Sequence, residues 1–114
     1  MAKYALPVGR VFHALGDPTR QAVVDRLSAG PVSVGELAVP FEMALPSFMK
    51  HIRQLELAGL ITTSKVGRVR TCTLQPAAMA VAESWLARQR EVWERRTDRL
   101  EHFVATSQPR EPIA

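Results

Sequence analysis

Between Leu45 and Leu74 the chain changes its hydrophobic period once, and the change falls at a glycine. Leu45, Phe48, Ile52 and Leu55 recur three or four residues apart, with Ser47, Lys50, Arg53 and Gln54 on the other side. That is an amphipathic helix, half of it basic. Gly59 suits the left-handed conformation that ends a helix, and Leu60 to Lys65 and Val69 to Leu74 are then rich in Ile, Val and Thr. The spacing predicts a helix over 45–58 followed by two strands that flank Val66 and Gly67, with Gly67 at the positive-φ position of the turn.

The flanking segments read as helices. Val8, Val11, Phe12 and Leu15 have helical spacing and stop at Gly16. Asp17 and Pro18 read as an N-cap and a proline in the first turn, with Ala22, Val23 and Leu27 as the apolar positions and Gly30-Pro31 as the stop. Ser33 and Glu36 have the spacing of a capping box, in which each side chain satisfies an amide at the helix start, and a very short helix follows, ending near Pro40. Pro76 opens a last helix that meets no further glycine or proline before Ser107, about twice the average helix length. Along it Met79, Leu86, Trp93 and Leu100 recur every seven residues, flanked by Trp85, Val92, Phe103 and Val104. A domain of 114 residues has little core to spare for two tryptophans, so part of this stripe is expected to meet another chain. A disordered tail is expected over 108–114, after one domain over 1–107.

Charge is localised. Residues 1–49 hold four bases and four acids and residues 75–114 hold six of each, whereas residues 50–74 hold Lys50, Arg53, Lys65, Arg68 and Arg70 against Glu56 alone. The whole net charge of +4 therefore sits on the amphipathic helix and the ribbon. The longest uncharged run, Thr71 to Ala82, includes Gln75 and Pro76 and is too short and polar to span a bilayer. The start of the chain lacks the apolar core of a signal peptide, and one cysteine, Cys72, cannot form an internal disulfide. A reducing cytoplasm is the expected compartment, with no membrane partner.

Three helices, a β-ribbon and a long closing helix make a mainly α fold with a small β-hairpin, a winged helix-turn-helix. The basic helix has the diameter to enter the DNA major groove, and the ribbon tip can straddle adjacent phosphates. Ser47, Lys50, Arg53 and Gln54 are the expected reading residues, and Lys65, Arg68 and Arg70 the expected phosphate contacts, on double-stranded DNA. The competing reading is a winged-helix interaction module whose basic patch binds an acidic protein surface. No nucleophile, base and acid stand together and no Gly-rich phosphate loop follows a strand, so an enzyme is not expected.

The stretches Ala14-Leu15-Gly16-Asp17-Pro18-Thr19-Arg20, Glu36-Leu37-Ala38, Lys50-His51-Ile52, Leu57-Ala58-Gly59-Leu60-Ile61 and Gly67-Arg68 together resemble the ArsR/SmtB family of bacterial winged-helix repressors, over roughly residues 8–104. The resemblance implies a homodimer paired through the first and last helices, here through Val8, Val11, Phe12, Leu86, Trp93, Leu100 and Phe103. It also implies a near-palindromic operator, often that of the regulator's own operon, and an inducer that weakens DNA binding. Through Lys50-His51-Ile52 the resemblance adds Met49 and His51 to the expected reading residues. Two positions depart from the family pattern. Ala44 stands where a serine usually caps the reading helix, forgoing a bond worth about 1 kcal/mol, so that cap is expected from elsewhere. Met49 stands where a serine usually precedes the Lys-His pair, and either lies over a thymine methyl or leans on a neighbouring helix.

Many relatives sense metals, so the ligands must be found residue by residue. Glu36 to Met43 contains no Cys or His to bind soft ions. Asp98 and His102 lie four apart near Glu91, Glu94 and Glu101, but a second histidine is missing from that helix and Arg95, Arg96 and Arg99 crowd it. They read as a surface pair, and neither a metal nor a cofactor is expected. Cys72 lacks a resolving cysteine and reads as a packed strand residue rather than a redox sensor. His13 reads as structural. A metal- or redox-responsive repressor is the alternative within the DNA-binding class, and no residue set specifies an inducer.

Overall fold

The computed structural model describes residues 7–107, so the tail expected over 108–114 lies outside the described residues. In chain order the elements are α1 (Val8–Leu15), α2 (Pro18–Leu27), β1 (Val32–Ser33), α3 (Val34–Ala38), α4 (Leu45–Leu57), β2 (Ile61–Val66), β3 (Val69–Leu74) and α5 (Pro76–Ser107). The helices and the hairpin stand where the periodicity predicts them. β1 was not expected. Val32 and Ser33 pair antiparallel with Cys72 and Thr71, which completes a three-stranded sheet in the order β1-β3-β2.

Local chemistry sets the helix starts. The Asp17 carboxylate accepts from the Arg20 amide at 3.1 Å, with Pro18 in the first turn where its missing N–H leaves no gap. The Ser33 hydroxyl accepts from the Glu36 amide at 3.2 Å, so the first half of the capping box forms. The second half does not: the Glu36 carboxylate accepts from the Ser33 hydroxyl at 3.2 Å rather than from the Ser33 amide. Ser33 is also the last residue of β1, paired with Thr71, which places its backbone in the sheet. Gly16 ends α1 at φ −83°, a conformation open to any residue. Side chains from α2 take the freed α1 carbonyls, with Arg20 Nε donating to Ala14 O and Gln21 Nε2 to Leu15 O, both at 2.7 Å.

The described residues fall into two compact units, one ending at Ala82 and one beginning at Glu83, with α5 contributing to both. The first holds the core. Phe48, Leu37, Ile52, Leu55, Leu60, Ile61, Val11, Val23 and Cys72 are its largest fully buried side chains, and Ala78 and Ala82 from the start of α5 are buried with them. Among the described residues no polar or charged residue is buried. Val11 has no exposed surface in a single chain, so its place among the expected dimer contacts is corrected: it serves the core, while Val8 and Phe12 keep partial exposure. In the second unit Leu86, Val92, Trp93, Leu100 and Phe103 are between 47% and 65% exposed.

Candidate nucleic-acid interface

α4 is held from below and ended cleanly. Phe48, Ile52 and Leu55 are at most 1% exposed, and Phe41 stacks on Phe48 with ring centroids 5.4 Å apart. At its end Leu60 N donates to Leu55 O and Gly59 N to Glu56 O, both at 3.0 Å, with Gly59 at φ 79°. That is a Schellman motif, and the fully buried pair Leu55 and Leu60 supplies its usual apolar contact. At the other end no side chain replaces the cap that Ala44 lacks, so the expected substitute does not form. Leu45 differs from expectation as well. It is 55% exposed and lines the groove beside the wing.

At 100° per residue the outer surface of α4 belongs to Lys50 and Arg53, both exposed, with exposed Ser47 and half-buried Gln54 beside them. His51 and Met49 lie on opposite flanks. Met49 is half-buried and packs against the core. His51 faces the α1–α2 corner: its Nδ1 is 3.0 Å from Arg20 Nη1 and 3.6 Å from Asp17 Oδ2. Desolvation pushes the Asp17 carboxyl up, but the donated Arg20 amide, the His51 ring when it is protonated, the charge of Arg20 and the Thr19 amide together hold its pKa below the ordinary value.

The wing turns one residue later than the periodicity suggested. Val66 pairs with Val69, so Gly67 and Arg68 alone form the turn, with Gly67 at φ 63°. Positive φ at the first central position only is the type II′ pattern, which matches the twist of the two strands. Lys65 pairs with Arg70, two residues along from the Thr63–Cys72 pair, so all four share the face that carries the buried Cys72. Arg70 Nη1 donates to Thr63 Oγ1 at 2.8 Å, and that hydroxyl donates to Glu56 Oε2 at 2.9 Å. The one acid of the basic segment thus ties the wing to α4. Lys65 and Arg68 are exposed and Arg70 is half-buried. A groove of about 380 Å³ between wing and helix is lined by Lys65, Arg68 and Arg70 together with Leu45 and Met49, and no acid lines it.

The remaining polar residues take other roles. Burial pushes the Cys72 thiol up, Glu56 adds to this and Arg70 opposes it, so the thiolate form is disfavoured. On α5 Arg95 pairs with Glu91 at 3.6 Å, both side chains mostly exposed. Among the described residues no group of three or more His, Cys, Asp or Glu could hold a metal ion, and no helix is long and apolar enough to cross a membrane. Sequence reasoning placed most of the basic surface but missed the groups behind it. Arg20, Glu56 and Thr63 position His51 and Arg70, and the only signal for Arg20 was its place in the Asp-Pro-Thr-Arg stretch.

Comparison with known proteins agrees with this geometry. Residues 15–64 match a family described as a helix-turn-helix domain. The HTH-type transcriptional regulator Rv2034 of Mycobacterium tuberculosis is 36% identical over 88 residues, 77% of this chain and 81% of that protein. The transcriptional repressor SdpR of Bacillus subtilis is 28% identical over 69% of this chain and 88% of its own length. Among solved structures, an ArsR family transcriptional regulator, RHA00566, is 58% identical with a TM-score of 0.73, covering 75% of this chain and 94% of that one. An ArsR-like transcriptional regulator from Rhodococcus sp. RHA1 is 28% identical with a TM-score of 0.76, covering 95% of this chain and all of that one.

Proposed function

The chain belongs to the ArsR family of winged helix-turn-helix transcriptional regulators, and from that premise we propose that it is a homodimeric, cytoplasmic repressor that binds a near-palindromic operator, its own promoter being the first candidate. The observation that carries the reading is the acid-free groove between α4 and the wing. Lys65, Arg68 and Arg70 line it, and Lys50 and Arg53 stand on the exposed face of α4. A cationic surface whose one nearby acid, Glu56, is engaged by Thr63 is what a phosphate backbone requires. In this reading Ser47, Lys50, Arg53 and Gln54 meet base edges, His51 meets the backbone at the groove wall, and Met49 supports the helix from its wing side. Lys65, Arg68 and Arg70 neutralise phosphates. Repression is supported by the likeness to SdpR, a repressor. Pairing of protomers is supported by the exposed apolar row on α5.

The test is fluorescence anisotropy with DNA from the region upstream of the protein's own gene, against a scrambled duplex of equal length and composition. The expected result is preference for the upstream duplex by at least a hundredfold, in line with specific recognition. Equal affinity for both duplexes would overturn the operator reading and favour an interaction module with a merely cationic surface.

A further inference from the structure

The Arg20 side chain makes more contacts than a corner residue needs. Its Nε donates to Ala14 O at 2.7 Å and its Nη2 to His13 O at 3.2 Å, both carbonyls at the end of α1. Its Nη1 lies 3.0 Å from His51 Nδ1 on α4. The guanidinium is therefore spread over two helices, and its own backbone amide is engaged by the cap of a third, through Asp17. A guanidinium has only donors, so the atom that meets Nη1 must accept. Nδ1 of His51 then carries the lone pair, and the proton of the neutral ring sits on Nε2. Asp17 Oδ2, 3.6 Å from the same Nδ1, is too far for a hydrogen bond to compete.

The Nε2–H bond leaves the ring on the side away from Arg20. Among the described residues no hydrogen bond engages Nε2, and the His51 side chain keeps 22% exposure. His51 is one residue, about 100° of helix, from the outward-facing Lys50. A donor there meets the wall of the major groove, where the phosphates are, rather than the base edges on its floor.

We propose that Arg20 is a positioning residue for DNA binding: by donating to Nδ1 it fixes His51 as the Nε2–H tautomer, and that N–H donates to a phosphate oxygen of the operator. This deepens the reading of α4 as the DNA-reading helix and rests on it. Arg20 itself touches no DNA. It supplies the wrong-tautomer penalty, since an Nδ1–H ring would set two donors against each other and leave Nε2 as an acceptor facing an anion.

The test uses the full-length chain. Long-range 1H–15N correlation spectra of the His51 imidazole in the free protein at neutral pH should show Nε2 protonated and Nδ1 unprotonated. Arg20→Lys, whose ammonium cannot span the three acceptors, should admit a population with Nδ1–H and weaken operator binding about tenfold. In a His51→Gln background, where an amide donor replaces Nε2–H without a tautomer choice, the same Arg20→Lys change should cost less than threefold. His51→Asn, which keeps an acceptor for Arg20 but has no Nε2, should lose about tenfold with Arg20 intact, and provides a second route should Arg20→Lys not fold.

An Nδ1–H ring in the wild type, an unchanged tautomer in Arg20→Lys, equal losses in both backgrounds, or full affinity in His51→Asn would each overturn the proposal. A wild-type chain with the Nε2–H ring but no operator complex would overturn the DNA reading and the phosphate contact with it.

Discussion

Asp17 combines a cap and a charge, and the two can be separated by pH. Its carboxylate accepts the Arg20 amide at 3.1 Å and lies 3.6 Å from His51 Nδ1. Desolvation is outweighed by those partners, so its pKa in the folded chain is lowered. A depressed carboxyl stabilises the fold in full above its unfolded value of about 3.9, and that stabilisation is lost as the pH falls through the lower folded value. Asp17→Asn keeps a capping oxygen but cannot ionise. Urea unfolding of the two proteins is therefore expected to show the wild type ahead at pH 7, with the gap narrowing as the pH falls below about 4. Using the difference cancels the other carboxylates common to both chains. A gap that stays constant to pH 3 would mean that the Asp17 charge adds nothing to its cap. Sequence alone gave the cap, because an N-cap bond is a three-residue matter; it could not give the charge partners, since His51 lies 34 residues away and meets Asp17 only once α4 has docked.

The wing carries both an anchored and a free cation. Arg70 is tied through Thr63 to Glu56, whereas Arg68 sits in the two-residue turn beside Gly67 and is exposed. The free one should behave as a pure phosphate contact. Arg68→Ala is expected to weaken binding to specific and scrambled duplexes alike and to lower the slope of log K against log salt by about 0.9, one phosphate's worth. Anisotropy titrations from 50 to 300 mM salt, a range set by about where such slopes are measurable, read both quantities. An unchanged slope would remove Arg68 from the backbone contacts. The helix and hairpin were legible in advance since their signals, period and turn residues, are local. The two-residue β1 was not, because a strand that short exists only through its partner β3 some 40 residues on. The exposure of Leu45 was equally hidden: its spacing matches the core face, but what covers a first turn is decided by other elements.

At the scale of the whole molecule, the described part of the second unit is the remainder of α5, and its apolar row is half or more exposed. Trp93 is 65% exposed and Leu86 and Leu100, seven residues to either side, are 50% and 62% exposed. In the proposed dimer this row is covered by the same row of the second copy, as a two-fold interface uses one patch on both chains. A tryptophan can bury roughly 150–250 Å², and at about 25 cal/mol per Å² two of them contribute several kcal/mol to a dimer. The charge distribution supports the proposed pairing: residues 75–114 balance six bases with six acids, so two such helices would meet little net repulsion. Trp93→Ala removes the largest side chain of the row without touching α4 or the wing. Sedimentation should then show a dimer in the wild type at micromolar concentration, and a rise of at least a hundredfold in the dissociation constant of the variant, about 3 kcal/mol. Operator binding by the variant should become steeper in protein concentration, since two chains must now assemble on the DNA. A wild-type monomer, or a variant dimer of unchanged strength, would assign the row to a different partner and leave each reading head to bind DNA alone.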